Sequence, residues 1–298
     1  MTNAAKTVLI TGSEGFTGKY MAAEMRSAGY HVVGLGTKSS TAVDYYQADL
    51  LSIAEITAVL NQVQPDIVIH LAAIAFVGHG DANAFYQVNL QGTRNLLAAL
   101  AALDKTPEAV LLASSANVYG NTSEGVLSES TLPAPANDYA VSKLAMEYMA
   151  RLWQDRLPII ITRPFNYTGV GQTENFLLPK IVAHFRRQAN EIELGNLDVW
   201  RDFSDVRSVV NAYRCLIEAK AFGHIVNVCS GNVHSLREVV AMIEEVSGHH
   251  IDIRVNPAFV RVGEVTTLCG DAGLLRSLIG NWQTPPLQET LCLMLEAK

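Results

Sequence analysis

The sequence predicts an α/β fold, a doubly wound parallel sheet with a smaller C-terminal lobe that binds the substrate. Two observations lead to this prediction. Short apolar runs rich in β-branched residues alternate with helical segments up to residue 162, an order typical of a parallel sheet covered by helices on both faces. A glycine-rich turn follows the first apolar run, and such folds bind ligands beyond the carboxyl ends of their strands.

Buried strands are predicted where a short apolar run ends at a turn, at residues 6–11, 31–35, 66–70, 109–113 and 158–162. Helices are predicted where apolar positions recur over longer stretches, at residues 17–28, 53–63, 82–103 and from Tyr139 towards Gln154. Gly29 fits the position just after the first helix, where glycine commonly ends a helix.

The alternation stops after Arg163 and Pro164, where strands become short and Gly, Asn and Pro become frequent. We therefore expect a Rossmann-type domain over residues 1–163 and a lobe over residues 164–298 that mainly binds the substrate. Residues from about 206 to 228 regain helical and then strand character, and we expect them to return to the main sheet.

Composition limits the classes of partner. A chain of 298 residues, with 49% hydrophobic and 17% charged residues, predicts a globular protein of one or two domains. The net charge of -7 argues against nucleic acid as a partner, and no apolar run is long enough to span a membrane. The four cysteines are scattered without metal-binding spacing, so we expect reduced thiols in a cytoplasmic protein and no metal site.

The glycine-rich turn has the spacing of a dinucleotide-binding motif. Gly12, Gly15 and Gly18 directly follow a predicted strand and, with Phe16, open a predicted helix. In this context the glycines permit a tight turn and let the backbone approach a pyrophosphate at the helix N-terminus. An ordinary strand–helix turn is the alternative, and the place of the motif at the first junction favours nucleotide binding.

The end of the second predicted strand bears on the kind of cofactor. Proteins that bind NAD normally have an acid there to hold the ribose diol, whereas residues 34–40 contain no carboxylate. Lys38 lies in this stretch and is suited to meet a 2′-phosphate, unless it is simply a solvated loop cation. We therefore expect NADP, with NAD as the less favoured cofactor.

Tyr139 and Lys143 are four residues apart and therefore share one face of the predicted helix. An ammonium group beside a phenol favours the phenolate, so we expect Lys143 to lower the pKa of Tyr139. Together with the glycine-rich turn, this pair predicts an enzyme that moves hydride between a nicotinamide and a hydroxyl or carbonyl group.

Several segments, taken in order, resemble the extended short-chain dehydrogenase/reductase superfamily of the NAD-dependent epimerase/dehydratase type, over nearly the whole chain. Besides the glycine-rich turn and the Tyr139/Lys143 pair, the similar stretches are residues 49–50, 70–73, 114–120, 163–166, 201–203 and 261–265, with Asn89. The family acts mostly on nucleotide-linked sugars, and its usual dimer surface corresponds to the helices predicted at 82–103 and 138–154. The resemblance therefore implies a nucleotide-sugar substrate and a homodimer.

The resemblance also implies roles for individual residues. Ser115, Tyr139 and Lys143 take the catalytic places. The implied cofactor contacts, besides the glycine-rich turn, Lys38 and the catalytic pair, are Asp49, Leu50, Leu71, Ala72 and Ala73. The implied substrate contacts, besides Ser115, are Asn166, Arg201, Arg261 and Glu264.

Within the superfamily, residues 163–172, 199–206 and 227–231 are most similar to the GDP-4-keto-6-deoxy-D-mannose reductases, which form GDP-D-rhamnose for surface glycans such as lipopolysaccharide. Dehydratases of the family place acidic groups just after the catalytic Ser/Thr, where this chain has Ala116 and Asn117, so dehydration is disfavoured. A 4-epimerase with bound NAD, a GDP- or dTDP-6-deoxytalose-forming reductase and a catalytically silent cofactor-binding scaffold stay open as alternatives.

Overall fold

The structure is a computed structural model that describes residues 5–76, 80–121, 125–260 and 265–297. Its strands are β1 Thr7–Thr11, β2 His31–Gly36, β3 Tyr45–Gln47, β4 Ile67–His70, β5 Ala109–Ala113, β6 Gly125–Leu127, β7 Ile159–Pro164, β8 Asn166–Thr168, β9 Glu191–Leu194, β10 Trp200–Asp205, β11 Ile225–Val228, β12 Val233–Ser235, β13 Asp252–Val255 and β14 Thr267–Gly270. Its α-helices are α1 Phe16–Ser27, α2 Ile53–Val63, α3 Ala82–Phe85, α4 Thr93–Ala101, α5 Asp138–Arg151, α6 Leu177–Arg186, α7 Val206–Glu218, α8 Leu236–Ser247, α9 Gly273–Ile279 and α10 Leu287–Glu296.

Within the described residues, seven strands form one sheet in the order β11-β7-β5-β4-β1-β2-β3. Every neighbouring pair in it is parallel. The order of the strands reverses between β1 and β4, and in doubly wound folds the ligand crevice lies at such a reversal. The predicted α/β fold class, a Rossmann-type parallel sheet flanked by helices, is confirmed.

Alternation along the strands builds a core on each face of this sheet. Val8 and Ile10 of β1 pack with α1 and α7 on one face, whereas Leu9 packs with α2 and α4 on the other. All three side chains are fully buried, as expected for a parallel strand covered on both faces. The rigid sheet therefore fixes the carboxyl ends of β1, β4, β5 and β7 relative to one another.

The second lobe has its own small sheets and its own core. In the described residues β12, β10, β14 and β6 form one sheet, with β8 paired to β10, and β13 pairs with β9. Helices α6, α8 and α10 contribute to a separate apolar cluster there. β11 lies beside β7 in the main sheet, while the division into domains at residues 163 and 164 stays a prediction.

The helix predicted over residues 82–103 is interrupted. Between α3 and α4, residues Tyr86–Gly92 form a π-helical segment, which inserts extra backbone into each turn and is frequent at functional sites. Asn89 lies inside this segment, is buried, and bonds to both backbone groups of Ile74 and to Ser142. These tertiary bonds hold the segment, and the pattern of apolar residues does not reveal them.

Candidate active site

The glycine-rich turn is built as the sequence requires. Gly12 has a φ of 71°, and a Cβ atom on it would lie 2.8 Å from the backbone nitrogen of Ala72. A Cβ atom on Gly18 would lie 2.2 Å from the carbonyl oxygen of Gly12. Only glycine tolerates both the conformation and this close packing of backbone.

The same turn is shaped to receive a dinucleotide. Gly15 precedes α1, which has neither a side-chain cap nor an acid in its first turn. The first N–H groups of the helix are therefore left for an external acceptor, and the helix dipole favours an anion there. Together with the backbone cradle at Gly12, these groups fit the pyrophosphate of a dinucleotide.

Other predicted cofactor residues lie along the same edge of the sheet. The backbone nitrogens of Leu71 and Ala72 bond to Thr11 at the end of β1, both at 3.2 Å, and Ala73 follows them. Lys38 is exposed beyond β2, and its carbonyl accepts a 2.5 Å bond from the Tyr45 hydroxyl. This bond from β3, an element absent from the sequence prediction, fixes the backbone of the loop.

Asp49 and Leu50 lie beyond β3. Asp49 is exposed and its carboxylate accepts from the backbone nitrogen of Leu51 at 2.9 Å. Leu50 is buried in the core on the α2 side. Phe16 stacks on Tyr167, with ring centroids 6.3 Å apart, so α1 contacts β8.

Ser115, Tyr139 and Lys143 come together at the carboxyl end of β5. All three are nearly buried, with 6%, 7% and 4% of their surfaces exposed. Ser115 begins a 3-10 turn and its hydroxyl accepts from the backbone nitrogen of Asn117 at 3.1 Å. Asn137 caps α5 by accepting from the nitrogen of Ala140, which fixes the start of the helix that carries Tyr139 and Lys143.

The expectation that Lys143 lowers the pKa of Tyr139 is wrong for this arrangement. Burial raises the pKa of Tyr139 to about 12, although the neighbouring Ser115 hydroxyl lowers it in part. Burial also lowers the pKa of Lys143 to about 8, against the opposing charge of Glu147. The Lys143 ammonium donates to the carbonyl of Ala113 at 2.7 Å, and desolvation outweighs the attraction that the spacing suggested.

His70 occupies a neighbouring place without a catalytic arrangement. Its two ring nitrogens bond to the hydroxyls of Thr11, at 2.7 Å, and Thr93, at 2.8 Å. Burial, helped by the charge of Lys143, lowers its pKa to about 3. His70 is therefore a hydrogen-bonded histidine of the core.

The structure describes only some of the predicted substrate residues. Asn166 on β8 is exposed and donates to the carbonyl of Asp202 at 3.2 Å. Arg201 on β10 is half-buried and donates to the carbonyls of Trp200 and Val265. The pairing of β8 with β10 brings Asn166 and Arg201 into one sheet, whereas Arg261 and Glu264 lie outside the described residues.

Asp202 is the buried residue that follows Arg201 on β10. The Asp202 carboxylate accepts from the backbone nitrogens of Ser230 and Gly231, both at 2.9 Å, and from the Ser230 hydroxyl at 2.7 Å. Adjacent residues of a strand point to opposite faces of the sheet, so Asp202 holds the turn after β11.

Two polar residues of the site were given no role from the sequence. Asn89 links the loop after β4 to α5 through Ser142, whose hydroxyl also donates to the carbonyl of Tyr139 at 2.7 Å. Glu147 is buried on α5 and bonds to Ser114. Its spacing, four residues after Lys143 and eight after Tyr139, was a signal that could have identified it.

Metal sites and membrane-spanning helices are the two other classes of feature that the described ranges bear on. In those ranges, no group of three or more His, Cys, Asp or Glu side chains is arranged to hold a metal ion. None of the helices in the same ranges combines the length and apolar character needed to cross a bilayer.

A dinucleotide cradle beside a buried Ser–Tyr–Lys cluster defines an enzyme, a nicotinamide-dependent oxidoreductase. Residues 8–229 match the family described as the NAD dependent epimerase/dehydratase family. The chain belongs to this family and thus to the extended short-chain dehydrogenases/reductases.

Two relatives act on GDP-linked deoxysugars according to their names. GDP-6-deoxy-D-talose 4-dehydrogenase of Aggregatibacter actinomycetemcomitans is 35% identical over 92% of this chain and 91% of its own length. GDP-6-deoxy-D-mannose reductase of Pseudomonas aeruginosa PAO1 is 34% identical over 92% and 90%.

Two solved structures share the whole fold. RMD from Pseudomonas aeruginosa, complexed with NADPH, has a TM-score of 0.87 and 31% identity over 99% of this chain and 98% of its own. A crystal structure from Burkholderia cenocepacia J2315, provisionally described as an epimerase, has a TM-score of 0.93 and 52% identity over 98% and 97%. A nicotinamide dinucleotide and a nucleotide-sugar substrate are therefore supported as classes of ligand.

Proposed function

We propose that this enzyme uses NADPH to reduce the C4 ketone of a nucleotide-linked 4-keto-6-deoxyhexose. The first candidate reaction converts GDP-4-keto-6-deoxy-D-mannose to GDP-D-rhamnose. The observation that carries the proposal is the buried cluster of Ser115, Tyr139 and Lys143 beside the glycine-rich turn. The names of the relatives that act on GDP-linked deoxysugars support the choice of substrate.

The protonation state of Tyr139 suits reduction. With a pKa of about 12, the phenol keeps its proton at neutral pH and is available as a general acid. An alkoxide forming at C4 is a strong base, so it takes the phenolic proton as negative charge develops on the oxygen. A bound nicotinamide dinucleotide supplies the hydride.

Ser115 and Lys143 complete the chemistry. The Ser115 hydroxyl lies close enough to Tyr139 to lower its pKa, and it is placed to donate a hydrogen bond to the same ketone oxygen. Lys143, with a pKa of about 8, is mostly an ammonium group at neutral pH, and its role in this proposal is to hold the nicotinamide ribose. The cluster is nearly buried, so these interactions are little weakened by solvent.

The residues after Ser115 distinguish this reaction from dehydration. Loss of water across C5 and C6 needs an acid and a base near the catalytic hydroxyl, and family dehydratases supply them as carboxyl groups. Ala116 and Asn117 occupy those places here, and the side-chain and backbone nitrogens of Asn117 both donate to Ser115. A 4-epimerase with bound NAD is the second candidate, since a structure 52% identical to this chain carries that provisional description.

One assay separates these activities. Purified enzyme is incubated with NADPH and GDP-4-keto-6-deoxy-D-mannose while NADPH absorbance and the product, by NMR, are followed together. We expect one NADPH oxidised per 6-deoxyhexose formed, with D-rhamnose and 6-deoxy-D-talose distinguished by the configuration at C4. Bound NAD in the purified protein, with conversion of a nucleotide hexose to its epimer and no oxidation of NADPH, would replace the reductase proposal with the epimerase.

A further inference from the structure

Glu147 is a buried carboxylate one helical turn beyond Lys143 on α5. Only 1% of its surface is exposed. It accepts a 2.5 Å bond from the Ser114 hydroxyl and bonds of 3.0 and 2.6 Å from Nε and Nη2 of Arg163. A carboxylate so far from water needs this full set of partners.

These bonds join the three elements that carry the candidate active site. Ser114 follows β5 and directly precedes Ser115. Glu147 itself is on α5, which bears Tyr139 and Lys143, and Arg163 is on β7, three residues before Asn166. One carboxylate thus ties together the end of β5, helix α5 and the end of β7, just before β8.

The Arg163 guanidinium of this pair has further partners. Nη1 of Arg163 donates to the Tyr119 hydroxyl at 3.0 Å, and that hydroxyl donates to Asn227 at 2.7 Å. The guanidinium also lies over the Tyr119 ring, 4.9 Å from its centroid. A buried ion pair is often no more stabilising than apolar residues of equal volume, so stability alone is a weak reason for this network.

The negative charge of Glu147 has a second effect, on the protonation of Lys143. The charges that interact with Lys143 are those of Glu147 on its own helix and His70 on β4; Tyr139 is one turn before it on α5, and Arg163 on β7 bonds to Glu147. Tyr139 and His70 are neutral at pH 7, with pKa values of about 12 and about 3. Arg163 is compensated by its two bonds to Glu147, and the Glu147 carboxylate raises the pKa of Lys143 against the effect of burial.

We propose that Glu147 is the positioning residue of this active site: it fixes Ser115 through Ser114 and places a carboxylate one helical turn from the Lys143 ammonium group on α5. The inference rests on the proposed function, in which Ser115, Tyr139 and Lys143 act on a ketone. Glu147 itself touches neither substrate nor cofactor and acts through its neighbours.

The charge effect is tested by the affinity for NADP measured against pH by calorimetry, without any sugar. In the wild type we expect affinity to fall as pH rises through about 8, the pKa of Lys143, and Lys143→Met should remove this dependence. In Glu147→Gln/Arg163→Met, which removes both buried charges, the affinity for NADP should fall at a lower pH than in the wild type. The shift should be up to about one pH unit, less than for a lone carboxylate a helical turn away, because Arg163 cancels part of the charge of Glu147.

The single variant Glu147→Gln leaves Arg163 buried without a counter-charge, and its melting temperature should drop by roughly 5 °C or more. The double variant should recover much of this loss. If the double variant folds and its affinity for NADP falls at the same pH as in the wild type, Glu147 does not control the charge of Lys143.

Ser114→Ala tests the positioning effect separately because it keeps both charges. We expect kcat to fall on the order of tenfold, because small misplacements of reacting groups slow the chemical step. The KM and the pH dependence of NADP binding should be unchanged. An unchanged kcat would overturn the positioning role, even if neither Glu147 variant folds. Wild-type protein that shows the NADP dependence on pH but does not reduce the keto sugar would refute the proposed function and leave the charge effect of Glu147 standing.

Discussion

Replacing Tyr139 with phenylalanine should separate catalysis from folding. The ring of Tyr139 packs edge-on against Phe85, with centroids 6.0 Å apart, and phenylalanine keeps this contact. The cap of α5 at Asn137 uses backbone groups and its own side chain, so the helix should begin at the same residue. The only group lost is a nearly buried hydroxyl beside Ser115.

The two effects differ in size. Loss of one hydroxyl hydrogen bond costs about 1 kcal/mol of stability, which lowers the melting temperature of a chain of this size by only a few degrees. Loss of general acid catalysis typically lowers turnover by about 10²- to 10⁴-fold, equivalent to about 3 to 5 kcal/mol of activation free energy. Turnover in Tyr139→Phe should therefore collapse in a protein that is still folded.

The measurement combines NADPH oxidation with GDP-4-keto-6-deoxy-D-mannose, thermal melting and NADP binding on the same preparations. Tyr30→Phe is a matched control. Tyr30 directly precedes β2, at the amino ends of the strands, whereas the active site lies at their carboxyl ends, and its hydroxyl bonds only weakly to Glu218, at 3.4 Å. We expect wild-type turnover in this control. Turnover of Tyr139→Phe within a few-fold of wild type, with melting and NADP binding intact, would exclude Tyr139 as the acid.

Three further outcomes are expected. Lys38→Ala should weaken binding of NADPH much more than NADH in calorimetry, and equal weakening would show that Lys38 does not meet the 2′-phosphate. Gly12→Ala should abolish NADP binding and lower the melting temperature, because the new Cβ would lie 2.8 Å from the backbone of Ala72. Gly29→Ala is the control, because Gly29 has a φ of 86° and no atom other than those of its chain neighbours lies within 4 Å of the place a Cβ atom would take. This control should show only the cost of the left-handed conformation, about 1–2 kcal/mol. His70 has a pKa of about 3 in the fold, below the ordinary histidine pKa of 6.5, so its contribution to stability is complete above pH 6.5 and is lost as pH falls towards 3. Between pH 7 and 5 the free energy of urea unfolding should therefore drop about 2 kcal/mol more in the wild type than in His70→Gln. Equal drops in the two proteins would contradict the assignment.

Local patterns predicted much of the main sheet. The strand at 109–113 and the helix at 53–63 coincide with β5 and α2, and the other predicted strands of this sheet differ from the observed ones by one or two residues. β-branched runs and glycine turns are local signals, so they can be identified without knowing the tertiary contacts. The exceptions depend on partners distant in sequence: β3 is a three-residue strand that pairs with β2, and the π-helical segment is held by bonds from Asn89 to the loop after β4.

The electrostatics of the candidate site could not be predicted from spacing. The spacing of Tyr139 and Lys143 indicates that they share a helix face, and both indeed lie in the buried cluster with Ser115. It does not indicate how deeply they are buried, and burial decides the direction in which each pKa moves. Likewise, the contacts of Asp202 with the turn at Ser230 require the fold of the second lobe to be known.

The direction of these pKa shifts bears on which reaction the site favours. At pH 7 the phenol of Tyr139 is protonated and most of the Lys143 population is charged, so the site begins with the proton that ketone reduction consumes. Oxidation of an alcohol needs a base instead, and forming the Tyr139 phenolate at pH 7 costs roughly 7 kcal/mol when its pKa is about 12. An epimerase must perform both steps in each cycle, whereas a reductase needs only the first. The protonated phenol therefore supplies the acid for ketone reduction, the step that both candidate reactions contain, and the combined assay of NADPH oxidation and product identity decides between them.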